Sequence, residues 1–341
     1  MDKVLLVFGI DISKDDFHVC AKVKTVDGKV TISGSHSFAN NQKGFVELQL
    51  WASKREKESF SVKYIMEATG TYYENLAYYL AEAGKAVSVV LANKIKHFAK
   101  SLNVKTKTDK VDSAIIAEIG IERELPVWVP LTPKYKELRD LCREMLSLKR
   151  EMTREMCQRH AMSCSHEKTA SVVQIKEAQI AFYAQTILRI ELEVKRIIGE
   201  DVQLKQKVDK IAKVKGLGLV TIVIVLCETN GFLLFNNIRQ VVSYSGLDIE
   251  MKESGNFKGK TKISKKVNAR IRQCLFMPAL CATNHNEKIK KLYERIIERN
   301  PLIKRKGVVA GMRKLLILIY VLWKKEEDYD PKHEWQKNDI G

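Results

Sequence analysis

The apolar positions change their period twice along the 341 residues of the chain. Up to about residue 125, short apolar runs alternate with helical spacing. Val4–Ile10 is apolar nearly throughout, the pattern of a strand buried on both faces. Phe17–Val23 alternates apolar and polar residues, and VDGK at 26–29 is a hairpin turn leading into Val30–Ser37. Helical spacing follows at Gln42–Trp51, then a short strand at Val62–Met66 and an amphipathic helix at Tyr72–Ala83 stopped by Gly84. Ala86–Leu91 is a further strand, and a helix is expected around Asp109–Ile119. Three strands, a helix, then two strands alternating with helices predict a mixed sheet covered on both faces.

The strand signal then thins. LPVWVPLTP at 125–133 holds three of the chain's six prolines and is expected to be a linker. From Tyr135 to about Gly199 nearly every residue favours helix. Leu138, Leu141, Met145, Leu148 and Met152 follow the 3–4 spacing of a coiled-coil seam, which lasts about two heptads before Glu155 interrupts it. That seam suits an intramolecular hairpin with Ile175–Ile198 as well as a dimer zipper. Residues 203–330 are helical and basic, punctuated by Gly216, Gly218, Gly246 and Gly255. The expected organisation is an α/β domain at 1–125, a linker and helical coiled-coil segment at 126–202, a mainly α domain at 203–330, and a tail at 331–341.

Charge changes the picture. The chain carries 59 Lys and Arg against 41 Asp and Glu, and residues 131–341 hold 41 of the bases and 25 of the acids. A near-neutral head on a strongly basic body points to a polyanionic partner, and nucleic acid is the commonest. The seven cysteines form no CxxC pair, and Cys157, Cys164, His160 and His166 are too isolated a group to argue for zinc. They are expected to be reduced thiols. The N-terminal apolar run is too short for a signal peptide, and Leu315–Trp323 is far below the ~20 residues of a membrane span. A soluble protein of the cytoplasm, not associated with a membrane, is expected.

GIDISKD at 9–15 places Asp11 where the first strand ends. Alone, Asp11 is a good turn former. YIMEATG places Glu67 at the end of a second strand, and KTDKVDSA places Asp109 and Asp112 three residues apart on one helical face. Alone, these are a strand-end charge and a helix cap with an acid in its first turn. Together they occupy the positions that a metal site in an RNase H-like domain demands. Four carboxylates at one sheet end repel unless divalent cations neutralise them, and all-oxygen ligands select Mg²⁺ or Mn²⁺. Two such ions can clamp a scissile phosphate. An actin-like sugar kinase also opens with a strand and a GxD turn, but no glycine-rich phosphate loop follows here.

The basic body has its own concentration of signal. Between Lys252 and Arg272 lie eight cations, Lys252, Lys258, Lys260, Lys262, Lys265, Lys266, Arg270 and Arg272, against the single acid Glu253. With Gly255 and Gly259 interspersed, this is a basic loop running into a helix, suited to a phosphate backbone. VKGLGLVTIVIVLCE at 214–228 reads equally as a phosphate-binding turn or as a glycine turn before a core helix.

These pieces resemble one family. GIDISKD, MEATGTYYENLAYYLAEAG and KTDKVDS in the head, with GLGLVTIVIVLCE, YSGLD…ESGNFKGKTKISKKVNARIR and GMRKLLILIYVLWKK in the body, look like insertion-sequence transposases of the IS110 type, relatives of the Piv DNA invertases. The resemblance covers nearly the whole chain, in order. It implies a RuvC-like DEDD domain, a coiled-coil connector and a C-terminal transposase domain with a nucleophilic serine. The DEDD acids become Asp11, Glu67, Asp109 and Asp112, and the serine of the SG motif becomes Ser254. It also implies Mg²⁺ dependence, donor and target DNA, a structured guide RNA (the bridge RNA) and a homo-oligomer, dimer or tetramer. Two positions depart from the family pattern. Val267 stands where SKxGN has glycine, and YSGL replaces YAGL, adding Ser245 as a rival serine. A RuvC-like nuclease that cleaves with water, and a non-catalytic nucleic-acid-binding protein, remain as alternative functions.

Overall fold

A computed structural model describes residues 4–331, apart from Lys105, Lys107, Lys168, Leu234, Lys252, Gly255, Asn256 and Lys260. The chain divides into two compact units, Met1–Pro130 and Leu131–Gly341.

The first unit is a five-stranded mixed sheet with helices on both faces. Its strands are β1 (Val4–Ile12), β2 (Asp16–Lys24), β3 (Val30–Ala39), β4 (Phe60–Glu67) and β5 (Val87–Val90), in the order β3-β2-β1-β4-β5. β1, β2 and β3 are antiparallel neighbours, and β4 and β5 run parallel to β1. Central strand β1 is buried on both sides. Leu6, Phe8, Ile10 and Ile12 face the core beneath α1 (Gln42–Ser53) and α2 (Glu74–Glu82). Val7 joins Ile65 in the core beneath α3 (Ala92–Ser101) and α4 (Asp109–Glu122). That double burial is why the run carries no alternation. β1 also continues two residues past Ile10, because Ile12 is itself buried, so Asp11 lies inside the strand opposite His18 of β2.

Two glycines set how closely α4 lies on the sheet. A Cβ on Gly9 of β1 would fall 2.1 Å from the Ala117 nitrogen and 2.3 Å from the Ser113 oxygen, and one on Gly120 would meet Ile65 and Val7 at 2.6 and 2.8 Å. Helix and strand therefore touch backbone to backbone at Gly9. Gly9→Ala should force α4 off β1 and cost roughly 1–3 kcal/mol, read as a lowered urea midpoint at unchanged slope.

The second unit is mostly helical. α5 (Pro133–Ser163), opened by a Thr132 cap and Pro133, pairs with α6 (Ala170–Gly199) as a hairpin. Leu138 and Met145 of the seam are fully buried in the unit's own core, and Leu141, Leu148 and Met152 pack against it. Glu155, which interrupts the seam, is buried and pairs with Lys176 of α6. The hairpin is thus the arrangement formed within one chain. α7 (Val202–Ala212), α8 (Leu219–Glu228), α9 (Ile238–Ser245), α10 (Ala269–His285), α11 (Glu287–Arg299) and α12 (Arg305–Lys325) complete the unit. α8 is buried from Ile222 to Glu228, and Gly216 turns at φ 100° against Ala282, so the GLG turn serves core packing. Among the described residues, no helix is long and apolar enough to cross a membrane. The seven cysteines are free, and four of them are buried.

Candidate active site

In the first unit, parallel pairing carries two of the acids to the same sheet edge. Ile10 is in register with Met66, so Asp11 and Glu67 are the next positions on adjacent strands. α4 brings the other two. Thr108 caps it by accepting from the Val111 N–H at 3.3 Å, leaving Asp109 and Asp112 in the first turn, where carboxylates complement the helix dipole. The close approach at Gly9 holds that turn beside Asp11.

The consequence is electrostatic. Burial, then the charges of Asp112, Glu67 and Asp109, push the Asp11 carboxyl from 3.8 up to about 6. Like charges and desolvation act in the same direction. Among the described residues, no three Asp, Glu, His or Cys side chains are grouped to hold a metal ion, at the acids or at Cys157, His160, Cys164 and His166. The four acids share a field without closing on one point. As donors they fit Mg²⁺, being all oxygen and mutually repelling. Ser13 closes the turn after β1 by donating to the Asp16 carbonyl at 3.0 Å. His18, opposite Asp11, lies against the hydroxyls of Ser37 and Ser35 at 2.6 and 2.7 Å, and burial lowers its pKa. The only mark of it in the sequence is its place in the β2 alternation.

In the second unit the basic loop is a two-stranded β-arm. β6 (Ile249–Glu250) pairs with β9 (Lys262–Ile263) at its root, and β7 (Glu253–Ser254) with β8 (Phe257–Lys258) towards its tip. Ser254 is exposed opposite Phe257. The rival serines are engaged. Ser245 is fully buried and donates to the Val242 carbonyl at 2.7 Å, and Ser264 donates to the Asp248 carboxylate. Lys262 and Lys265 are exposed, while Lys266 pairs with Glu250 at 2.8 Å. Lys252, Lys260 and Gly255 lie outside the described residues. Arg272 is committed to the root of the arm, its guanidinium within 2.7–3.1 Å of the carbonyls of Ser245, Lys265, Lys266 and Asn268.

A buried carboxylate anchors the helix behind the arm. Glu228 takes Arg143 at 2.7 and 3.1 Å and the Asn268 side-chain amide at 2.8 Å, with Arg270 at 3.9 Å. Burial pushes its carboxyl up, but the bonds and charges of Arg143, Asn268 and Arg270 outweigh that and hold it below the usual range. Asn268 in turn caps α10. Just before it, Val267 sits at φ 58°, a left-handed conformation that a β-branched residue enters at about 1–2 kcal/mol. Glycine has no such strain. After allowing for glycine's freedom in the unfolded chain, Val267→Gly should stabilise the protein by about 0.5–1 kcal/mol in urea denaturation.

Residues 8–162 match a family model described as Transposase, of the DEDD IS110 kind, and residues 208–294 match one described as Transposase IS116/IS110/IS902 family. The pilin gene-inverting proteins of Moraxella bovis and Moraxella lacunata are each 27% identical over 328 residues, spanning 96% of this chain and 98% of theirs. Among solved structures, a Ppx/GppA family member from Aquifex aeolicus is similar over 28% of this chain and 38% of its own, at 16% identity and a TM-score of 0.21, too low to bear on the fold. Two family models in sequence order, and relatives matched from end to end, place the chain in the IS110 family of transposases.

Proposed function

We propose that this chain, a DNA-recombining enzyme by family, cuts and rejoins DNA with Ser254 as nucleophile and an RNase H-like head in which Asp11, Glu67, Asp109 and Asp112 hold Mg²⁺. The observation that supports the reading is that burial first, and then the charges of Asp112, Glu67 and Asp109, raise the Asp11 carboxyl to about 6. Such repulsion destabilises a fold for no structural return and is relieved by a divalent cation. Bound Mg²⁺ would neutralise charge on a phosphate and polarise its oxygens. The chain's own share is division of labour. The β1–β4 edge and the first turn of α4 hold the carboxylates, and the arm presents a serine among cations. Ser254 Oγ would attack phosphorus, its proton passing to a carboxylate or water, while the bond from phosphorus to one strand oxygen breaks and that oxygen leaves as a hydroxyl. The phosphoserine link conserves the bond energy for rejoining.

Guidance by a structured RNA belongs to the same reading, supported by the 41 basic against 25 acidic residues of positions 131–341 and by the sequence resemblance. A dimer or tetramer follows from the need to act on two duplexes. The metal assignment is tested by melting. Mg²⁺ should raise the melting temperature of the wild type but not of Asp109→Asn/Asp112→Asn, whose metal-free form should be the more stable of the two. Equal shifts in both proteins would place the metal elsewhere.

A further inference from the structure

The second unit contains a cleft of about 970 Å³ that shares Lys262, Lys265 and Arg272 with the basic arm and extends beyond it to α10 and α12. Its apolar lining includes Phe276 of α10 together with Ile249, Ile263 and Ile303. Ile249 and Ile303 are about half exposed, at 54% and 49%, so this hydrophobic surface is open to solvent and concave. Its rim is cationic, carrying Lys262, Lys265, Arg305, Lys306 and Arg313, and among the described lining residues there is no carboxylate. The Arg305 guanidinium stands 5.7 Å from the centre of the Phe276 ring. Its volume is at the upper end of the ~300–1,000 Å³ of small-ligand clefts, too confined for a duplex.

An apolar lining bearing an aromatic ring, with several cations and no carboxylate around it, is complementary to one chemistry, flat apolar faces strung on a phosphate backbone. Within a duplex those faces are stacked and hidden. In an unpaired strand they are free to lie on a ring while the phosphates meet the rim. The position of the cleft narrows the choice further. Ile249, Lys262 and Ile263 form one wall of it and are also the root strands β6 and β9 of the arm that presents Ser254. Strand exchange opens base pairs beside the cut, which creates unpaired nucleotides of the kind the cleft fits.

We infer that this cleft holds an unpaired nucleotide of the DNA strand, its base on Phe276 and its flanking phosphates on Arg305, Lys306 and Arg313. The inference rests on the reading of the arm as a DNA-handling element, but not on Ser254 chemistry.

The test is an equilibrium measurement with the full chain in EDTA, so that no cleavage enters. A labelled single-stranded DNA and the same strand in a duplex are titrated by fluorescence anisotropy. Phe276→Ala should weaken the single strand by roughly tenfold or more, the usual worth of one stacked base, and leave the duplex nearly unchanged. Phe276→Tyr should restore binding. Arg313→Gln should reduce the salt slope of single-strand binding by about 0.7, one phosphate's share. A scan of abasic positions through the strand keeps the test independent of folding. At one position, loss of the base should cost the wild type the same factor as Phe276→Ala and cost that variant nothing more. If no abasic position weakens the wild type, or if Phe276→Ala loses single strand and duplex alike, no base occupies the cleft. A preference for RNA of the same sequence that Phe276→Ala removes would assign the cleft to RNA and overturn the proposal. So would an unchanged DNA affinity accompanied by a change in the oligomer's mass, which would make the cleft a protein interface. Failure of covalent chemistry at Ser254 would leave these equilibria standing, so the two readings fail separately.

Discussion

Ser254→Ala will bind DNA as the wild type does and form no covalent protein–DNA adduct, while Ser245→Ala will still form it. A serine hydroxyl is a weak nucleophile until its proton is taken and the charge of the phosphate is offset. Removing the oxygen removes the bond-forming atom itself, so adduct formation should fall by several orders of magnitude, to background. Among the serines in contention, only Ser254 is exposed on the arm. Ser245 is buried with its hydroxyl on the Val242 carbonyl, and Ser264 is held by Asp248. Ser245→Ala therefore tests folding more than chemistry. The measurement is a suicide DNA substrate, nicked so that cleavage cannot be reversed, followed by denaturing electrophoresis. An adduct that persists in Ser254→Ala would move the nucleophile to another residue. Strand cleavage by the wild type without any adduct would instead favour hydrolysis by water.

Much of the first unit was legible because its strands obey simple patterns. A strand buried on both faces shows as the unbroken run of β1, and the β2–β3 hairpin shows through its alternation and the DG turn, where Gly28 adopts φ 85°. The acids were legible because each stands at the end of a recognisable element. What spacing could not provide is how α4 approaches the sheet. That depends on Gly9 and Gly120 meeting neighbours far away in sequence, Gly9 against Ser113 and Ala117, Gly120 against Val7 and Ile65. α3, absent from the expected elements, does carry a helical period in its sequence, with Ile95 and Phe98 three residues apart on its buried face. In the second unit, Arg272 resembled its basic neighbours in sequence. Its four carbonyl partners come from the last residue of α9, from Lys265 and Lys266, and from the α10 cap Asn268, which no local pattern brings together. Glu228 was likewise hidden, as an acid at the end of an apolar run. Its partner Arg143 lies 85 positions earlier, and a buried ion pair leaves no mark on either segment.

Asp11→Asn will make the metal-free protein more stable at neutral pH, and the gain will disappear in acid. Asp11 has a folded pKa of about 6 against an unfolded value near 3.8. The folded state therefore binds its proton more tightly than the unfolded chain does. Its contribution to stability is fully present below about pH 3.8 and is lost as pH rises through about 6. A shift of that size corresponds to about 3 kcal/mol at 1.36 kcal/mol per unit. Asp11 keeps part of its surface in water, and solvent screening reduces the expected effect to about 1–2 kcal/mol. Asparagine keeps the shape and carries no charge, so at pH 7.5 in EDTA the variant should exceed the wild type by that amount. As pH falls from 6 to 4 the wild type protonates and the two stabilities should converge, leaving only a small pH-independent difference. Urea denaturation at half-unit steps between pH 4 and 8 measures the gap directly. A gap that stays constant over this range would mean that Asp11 feels neither its burial nor Asp112, Glu67 and Asp109. Under the proposed function, saturating Mg²⁺ at pH 7.5 should reverse the order, because the cation stabilises the charged cluster of the wild type and finds one ligand fewer in the variant.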